Sequence, residues 1–256
     1  MAQSLTPAEV CVVDDGSTDD TRAVIEQKFP QVQYVYQDNK GVSAARNLGV
    51  DSTTSDWIAF LDSDDIWHAD KLEKQFLAAE KSPSAQLIHC DEIWIRDGRR
   101  VNPMEKHRKQ GGDIFEQSLH MCAISPSAAM LRRELFESVN RFDESLPACE
   151  DYDLWLRICA QHSVHFIDEA LLTKYGGHED QLSKKYWGMD RFRVRALQKL
   201  LDSSELTDAQ HKQVLAVLRD KCSVLLNGAR KRNNKALIAE CEHIIDTYLT
   251  SNELHN

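Results

Sequence analysis

The chain has 256 residues, enough for one domain or for one domain with an appendage. Acidic residues outnumber basic ones by 41 to 31, and the net charge of -10 argues against a general nucleic-acid binder, which needs a basic surface. Hydrophobic residues make up 42% of the chain and charged residues 28%, which excludes wholesale disorder, and no stretch approaches the ~20 apolar residues of a membrane span.

The first third of the chain alternates short apolar runs with helical patterns. Strands are predicted over residues 10–13, 32–36 and 57–61, and helices over 19–28, 42–50 and 69–81. This alternation is typical of βαβ units and predicts an α/β fold with a Rossmann-like, mostly parallel sheet and helices on both faces. Ligands of such sheets bind beyond the carboxyl ends of the strands.

The remainder continues this pattern and then becomes helical. The sequence predicts a strand over 86–95, an exposed loop over 96–112, a strand over 128–131 and helices over 133–139 and 150–161. Closing strands are predicted over 165–168 and 171–175, followed by helices over 184–201, 207–227 and 233–249. We therefore predict a catalytic domain over 1–183 and an α-helical region over 184–256.

The seven cysteines contain no C-x-x-C pair, and the N-terminus lacks the apolar core of a signal peptide. These features predict free thiols and a cytoplasmic protein.

Two of the predicted strands end in acidic residues. Asp62-Ser63-Asp64 follows the third strand, and such a D-x-D triplet can hold a divalent cation that binds a diphosphate. Chance alone produces such triplets, so solvated turn acids are an equal alternative. Asp14 and Asp15 end the first strand, where they could read a nucleobase or ribose or could simply form a turn.

Three further positions could carry chemistry, each with a structural alternative. Arg46 could contact phosphate or lie on a surface. Glu150 and Asp151 begin a helix, where they could cap it or provide a general base. His178 lies among small residues after a strand and is more often structural in such a place.

Several common motifs are missing. The chain has no G-x-x-x-x-G-K-[ST], no G-x-G-x-x-G after a strand and no G-x-S-x-G. Their absence argues against a P-loop NTPase, an ordinary dinucleotide enzyme and an α/β-hydrolase.

Taken together and in this order, the motifs resemble those of the family 2 glycosyltransferases of the GT-A fold. The resemblance covers roughly residues 8–185. The matching segments are V-V-D-D-G-S-T-D-D-T (12–21), N-K-G-V-S-A-A-R-N-L-G (39–49), W-I-A-F-L-D-S-D-D-I-W (57–67), E-D-Y-D-L-W-L-R (150–157) and H-E-D-Q-L-S (178–183).

The resemblance implies a nucleotide-diphospho-sugar donor, UDP- or GDP-linked, and a Mn²⁺ or Mg²⁺ ion. Asp14 and Asp15 match the acids that read the nucleobase, and Arg46 matches a basic residue of the nucleotide pocket. Asp62 and Asp64 match the D-x-D: Asp64 is the expected direct metal ligand, and Asp62 is expected nearer the ribose or sugar.

The resemblance also implies the catalytic residues. Asp151 matches the base that takes a proton from the acceptor hydroxyl, with Glu150 beside it, and His178 matches a late histidine near the metal. A single base without a covalent intermediate implies inversion at the anomeric carbon. The expected role is polysaccharide or glycoconjugate synthesis on a glycan or lipid-linked acceptor, without nucleic acid.

One departure from the family pattern concerns the start of the chain. Members usually carry a strand and a helix before the strand that ends in Asp14 and Asp15, and here only a short segment precedes that strand. This predicts either a translation start assigned too far downstream or a fragment with weakened donor binding.

Other functions remain open at this stage. A non-catalytic nucleotide-sugar-binding protein is one alternative, and a haloacid-dehalogenase-like phosphatase is another, because D-S-D-D-I follows a strand. Residues 184–199 are basic and aromatic, so they could lie on the inner face of a membrane, although a helix packed on the catalytic domain is the preferred interpretation.

Overall fold

A computed structural model describes residues 2–102, 104–177, 185–203 and 205–250. The first elements follow the predicted alternation and are β1 (Cys11–Asp15), α1 (Thr21–Lys28), β2 (Gln33–Gln37) and α2 (Val42–Asp51). Strands β1 and β2 pair in parallel as a two-stranded sheet. Helix α2 lies close against β1, where a Cβ added at Gly49 would be 3.3 Å from a methyl carbon of Val13.

A second sheet of six strands forms the centre of the molecule. Its strands run in the order β3-β7-β5-β8-β4, with β6 paired to β5. The elements from residue 57 to residue 176 are β3 (Trp57–Ala59), β4 (Ile66–Trp67), α3 (Lys71–Lys81), β5 (Leu87–Arg96), β6 (Arg99–Val101), α4 (Phe115–His120), β7 (Met130–Arg132), α5 (Arg133–Ser138), α6 (Glu150–Cys159) and β8 (His165–Gly176).

This sheet is mixed, so the prediction of a mostly parallel sheet was wrong in that respect. Among the neighbouring strand pairs that the structure describes in this sheet, only β5 and β8 are parallel, whereas β7 is antiparallel to both β3 and β5, and β4 is antiparallel to β8. Apolar periodicity predicts that a segment is a strand, but strand direction depends on which distant segment it pairs with.

The segment predicted as a loop over 96–112 begins with a β-hairpin. Asp97 and Gly98 connect β5 to β6 and both have positive φ angles, 50° and 72°. Two such residues form the type I′ turn, whose twist matches that of the flanking strands. The two predicted closing strands are one strand, β8, whose pairing with β5 shifts register around Asp91.

The C-terminal region is helical, as predicted. It contains α7 (Asp190–Ser203), α8 (Asp208–Lys231), α9 (Lys235–Ile244) and a π-helical segment, Ile245–Thr250. Thr207 and Gln210 form a capping box at the start of α8. None of the described helices is long and apolar enough to cross a membrane.

One hydrophobic core joins this region to the rest of the molecule. The same cluster of buried side chains includes Phe60 near β3, Trp155 on α6, Leu197 on α7 and Leu218 on α8. The helical region therefore packs as part of the main body, and a functional boundary near residue 184 stays a prediction.

A buried lysine lies beneath the loop that carries the D-x-D. Lys71 is fully buried, donates a hydrogen bond to Gln75 Oε1 at 2.7 Å, and lies 4.2 Å from the centre of the Trp67 ring. Trp67 Nε1 in turn donates to the carbonyl oxygen of Ser127 at 2.7 Å. Burial lowers the pKa of Lys71 to about 8.

This lysine predicts a pH dependence of stability. Between pH 8 and pH 10.5 the unfolded chain holds the Lys71 proton and the folded chain loses it, so stability rises with pH in that window. Relative to Lys71→Met, the free energy of unfolding of the parent should increase by about 3 kcal/mol from pH 7 to pH 11. Urea denaturation across this range measures it, with the exposed Lys81→Met as control. A constant difference between parent and Lys71→Met would contradict the prediction.

Candidate active site

The guanidinium of Arg46 joins two acids that are far apart in the sequence. Its Nη1 donates to Glu150 Oε1 at 2.8 Å and its Nη2 donates to Asp62 Oδ1 at 2.6 Å. The side chains of Arg46 and Glu150 are only 10% and 6% exposed, and the guanidinium lies 5.1 Å from the centre of the Phe142 ring. The structure thus brings together three of the predicted site residues, one each from α2, the D-x-D loop and α6.

Asp14 and Asp15 bind the turns around them. Asp14 accepts hydrogen bonds from the backbone N–H of Ser17 at 2.7 Å and from the hydroxyl of Tyr34 at 2.6 Å. The carboxylate of Asp15 accepts from the N–H groups of Lys40 and Gly41, at 2.8 and 2.9 Å, directly before α2. Asp15 therefore fixes the start of the helix that carries Arg46.

Within the described residues, no hydrogen bond links Asp14 or Asp15 to the Arg46 cluster. Their predicted contact with a nucleobase stays a prediction. The turn interpretation accounts for their hydrogen bonds from backbone N–H groups, and Tyr34 and Gln37 of the paired strand β2 donate the remaining side-chain hydrogen bonds.

Hydrogen bonds to neighbouring segments fix the D-x-D loop, while part of its acidic side chains remains accessible to solvent. The N–H of Asp62 donates to Ser127 Oγ at 3.0 Å, and Asp64 is exposed. The next residue, Asp65, is buried and accepts a hydrogen bond from the N–H of Tyr175 on β8 at 3.3 Å. Burial raises the pKa of Asp65 to about 6. Asp65 was not a predicted site residue, and it anchors the loop to the sheet.

The donor set of this loop fits a divalent cation. Asp62 and Asp64 offer carboxylate oxygens, and Mg²⁺ is commonly held by one or two carboxylates together with substrate phosphates and water. Across the described residues, no group of three or more His, Cys, Asp or Glu forms a complete metal site. The predicted third ligand, His178, lies outside the described residues.

Helix α6 presents Glu150 and Asp151 from its first turn. The residue before them, Cys149, has a left-handed backbone with φ 61°, which is costly for a residue other than glycine. Asp151 accepts a hydrogen bond from the N–H of Tyr152 at 2.7 Å. Burial, and then the charge of Asp151, raises the pKa of Glu150 above its usual range despite the contact with Arg46.

A thiol contacts the predicted base. Cys122 Sγ lies 3.1 Å from Asp151 Oδ2. Burial and the charge of Asp151 raise the pKa of Cys122 well above its usual range, so the thiol keeps its proton and donates it to the carboxylate. The sequence offered no signal for this contact because Cys122 is neither paired nor in a motif.

A second buried cluster lies next to these acids and was also missed. Glu92 on β5 accepts from Lys109 Nζ at 2.8 Å, from Trp94 Nε1 at 2.6 Å and from Ser125 Oγ at 3.0 Å. Lys174 on β8 donates to the same serine oxygen at 3.4 Å. Lys109 thus binds the buried carboxylate directly, and Lys174 contacts it through the hydroxyl of Ser125.

Lys174 connects this cluster to the candidate site. Burial works to lower its pKa, but the charges of four carboxylates outweigh burial and raise it. These carboxylates are Glu92, Asp65, Asp62 and Asp151. The ammonium of Lys174 therefore interacts electrostatically with acids of both the D-x-D loop and the predicted base.

With this geometry established, comparison with known proteins identifies the family. Residues 1–139, more than half of the chain, match the sequence model described as Glycosyl transferase family 2. The chain belongs to glycosyl transferase family 2.

Relatives within family 2 cover part of the chain. An uncharacterised glycosyltransferase of Rickettsia conorii is 33% identical over 165 residues, which are 64% of this chain and 27% of that protein. Chondroitin synthase of Escherichia coli is 29% identical over 161 residues, 61% of this chain and 23% of that enzyme. The chain spans about a quarter of the length of these two relatives.

Solved structures confirm the predicted GT-A fold. S. aureus TarS in complex with UDP has a TM-score of 0.64 and 18% identity, covering 85% of this chain and 64% of that one. A mannosyltransferase of Pyrobaculum calidifontis in complex with GDP-Man and Mn²⁺ has a TM-score of 0.54 and 16% identity, covering 95% of this chain and 73% of that one.

The Arg46 bridge should dominate the stability of the site. Arg46→Met leaves the buried Glu150 and the partly buried Asp62 without their cation, so we expect a loss of roughly 3–5 kcal/mol in the free energy of unfolding. Adding Glu150→Gln should restore part of that loss. The measurement is urea denaturation at pH 7.

The matched control is an exposed ion pair. Arg22 and Glu26 lie one helical turn apart with side chains 68% and 54% exposed, so Arg22→Met should change stability by less than about 1 kcal/mol. Equal effects of the two arginine substitutions would show that the bridge has no special role.

Proposed function

We propose that this chain transfers a glycosyl group from a UDP- or GDP-linked sugar to an acceptor hydroxyl, with inversion and with Mn²⁺ or Mg²⁺. The observation that carries the proposal is the Arg46 bridge, which holds the D-x-D loop against the helix that bears Asp151. A donor bound at that loop would present its anomeric carbon to an acceptor beside the base.

The donor side is assigned to Asp14, Asp15, Arg46 and Asp62. The membership in family 2 and the similarity in fold to proteins solved with UDP and with GDP-Man support a nucleotide-sugar donor. Arg46 already binds two carboxylates, so its contact with a donor phosphate would require it to exchange the Asp62 partner or to bind phosphate as well.

The metal is assigned to Asp62 and Asp64, with His178 as the third ligand that the family resemblance implies. When bound, the cation would neutralise charge on the leaving diphosphate. Lys174 interacts electrostatically with the acids of the same loop. It therefore contributes positive charge to that region in addition to the charge of a bound cation.

The acceptor side is assigned to Asp151 as general base, with Glu150 beside it. The N–H of Tyr152 and the thiol of Cys122 hold the two carboxylate oxygens of Asp151 in place. Glu150 forms an ion pair with Arg46, so of the two acids Asp151 is the one that can accept the proton of an acceptor hydroxyl. One base and no protein nucleophile correspond to inversion.

The wider role that we propose is polysaccharide or glycoconjugate synthesis by a hexosyltransferase, in the cytoplasm, on a glycan or lipid-linked acceptor. Chondroitin synthase among the relatives supports a polysaccharide role. All seven cysteines lie in the described part of the chain and none is in a disulfide, which suits a reducing compartment.

Peripheral membrane contact through residues 184–199 has weaker support. Phe192 and Leu197 are buried in the core, while Arg193 and Lys199 form ion pairs with acids of the chain. These contacts favour the packed helix over a membrane-bound one.

A non-catalytic nucleotide-sugar-binding protein remains the second candidate because the same contacts would bind a donor without transfer. The phosphatase alternative has little support: the D-S-D-D-I segment follows two earlier strands, and the chain belongs to family 2.

Nucleotide binding tests the donor and metal assignments. With Mn²⁺, UDP or GDP at about 100 times its Kd should stabilise the fold by about 2.7 kcal/mol and raise the Tm by roughly 5–11 °C. EDTA or Asp64→Ala should reduce the shift because Asp62 and Asp64 would hold the cation that neutralises the diphosphate. Differential scanning fluorimetry measures it, with ADP as control. No shift with any nucleoside diphosphate would refute the donor assignment.

Asp151→Asn separates transfer from binding. The amide keeps the shape of the carboxylate but cannot accept the proton, so transfer should fall by about 10²–10⁴-fold while the nucleotide-dependent Tm shift persists. The exposed Asp220→Asn on α8 is the control and should leave both unchanged. The readout is release of the nucleoside diphosphate in the presence of an acceptor mixture. Parental transfer by Asp151→Asn would exclude Asp151 as the base, whereas binding without transfer by the parent would favour the non-catalytic alternative.

A further inference from the structure

An exposed basic hairpin projects from an otherwise acidic protein. We define the basic hairpin as residues 96–101, which comprise the end of β5, the Asp97-Gly98 turn and β6. The basic hairpin has three basic residues and one acidic residue, a net charge of +2 in a chain of net charge -10. Positive charge is therefore in local excess there.

The strand pairing of the hairpin sets like charges against each other. Arg96 and Arg99 occupy directly opposed positions, and Arg100 is the next residue along the edge strand. Like charges directly opposite on paired strands are destabilising. Across the described ranges no ion pair engages any of these three arginines. An anion from outside the chain would relieve this repulsion.

The same residues line an open cavity of about 650 Å³. Its lining consists of Arg96, Asp97, Arg99, Arg100, Val101 and Asn102. A concave surface lined by arginine forks suits phosphate or carboxylate groups, which arginine binds in bidentate fashion.

The hairpin lies at the ligand-binding edge of the sheet. The parallel pair β5 and β8 runs together as far as Arg96 and Gly176, so the hairpin begins where both strands end. A Cβ added at Gly177 would be 2.4 Å from the Asp97 carboxylate, which shows how closely β8 meets the turn. One residue before Gly176, the N–H of Tyr175 binds Asp65, the neighbour of Asp64.

We propose that the basic hairpin is an acceptor subsite for an anionic glycan, that is, a chain of sugars bearing phosphate or carboxylate groups. The inference rests on the proposed function, because it places the acceptor chain beside the donor loop. The proposed function assigns the donor diphosphate to the D-x-D loop and Arg46. The arginines of the hairpin are therefore not needed to bind the donor. Arg96 and Arg99 share one face of the hairpin and Arg100 lies on the other, because side chains alternate along a strand, so a flexible extended chain reaches all three more readily than a planar membrane surface does.

The test compares three proteins of full length: the parent, Arg99→Glu/Arg100→Glu, and the control Lys231→Glu/Lys235→Glu. The control makes the same change in net charge at exposed positions of the C-terminal helices. Each protein is titrated at 50 and 200 mM NaCl against fluorescently labelled inorganic polyphosphate, polygalacturonate and neutral dextran. Vesicles of phosphatidylglycerol form a separate arm.

The expected result is that parent and control bind at least one polyanion and not dextran, while the hairpin variant binds about 10-fold or more weakly. Binding should weaken with salt because the contacts are ionic. A preference for polyphosphate would indicate a phosphate-bearing acceptor, and a preference for polygalacturonate a uronate-bearing one; either supports the subsite.

Three outcomes would overturn the subsite: no polyanion binding by the parent at 50 mM NaCl, equal weakening in the control variant, or hairpin-dependent binding of vesicles alone. The UDP and Mn²⁺ thermal shift, measured on the same samples, should be unchanged in the hairpin variant. Loss of that shift in the parent would instead refute the proposed function, so the two failures are distinguishable.

Discussion

A single guanidinium, that of Arg46, determines how the candidate site is assembled. Charged groups as buried as Arg46 and Glu150 are stable only when paired, because desolvation of an isolated charge costs several kcal/mol. The bridge therefore requires α2, the loop after β3 and the start of α6 to meet at one point. Asp15 contributes to the same point by binding the N–H groups that begin α2. The acids that end the first strand and the Arg46 bridge are thus structurally connected through α2.

Charge balance around the bridge bears on the proposed binding of an anionic donor by an acidic protein. One arginine binds Asp62 and Glu150, and the ammonium of Lys174 on β8 interacts electrostatically with Asp62 and Asp151. The acids at the strand ends are therefore largely compensated by fixed cations. What remains exposed is the carboxylate of Asp64, where a divalent cation would reverse the local charge that a diphosphate meets.

The sequence predicted properties that depend on neighbouring residues well. It predicted properties that depend on distant residues poorly. Apolar periodicity located β1, β2 and α3 to within a few residues, and the motif positions of Arg46, Asp62 and Glu150 converge in the structure. Strand direction was missed because it is set by non-local pairing.

The hairpin at Asp97-Gly98 was missed for a different reason. Asp-Gly is a strong type I′ turn signal, but the many charges after it suggested a loop. The contacts of Cys122 and Lys174 could not be predicted because their partners, Asp151 and Ser125, lie 29 and 49 residues away in the sequence. Pairing between such positions leaves no local pattern in a single sequence.

The C-terminal helices influence the candidate site through a buried acid on α6, the helix that also carries the predicted base. Asp153 on α6 is 1% exposed and pairs with Arg157 of the same helix at 2.7 Å and with Lys199 of α7 at 2.8 Å. Lys199 also binds Asp143, so α7 clamps α6 to the segment before it. Because Asp151 lies two residues before Asp153 on the same helix, any displacement of α7 would leave a buried carboxylate short of a cation and loosen the turn that presents the base. Helices without a recognisable motif can therefore be required for the geometry of the site that the motifs define.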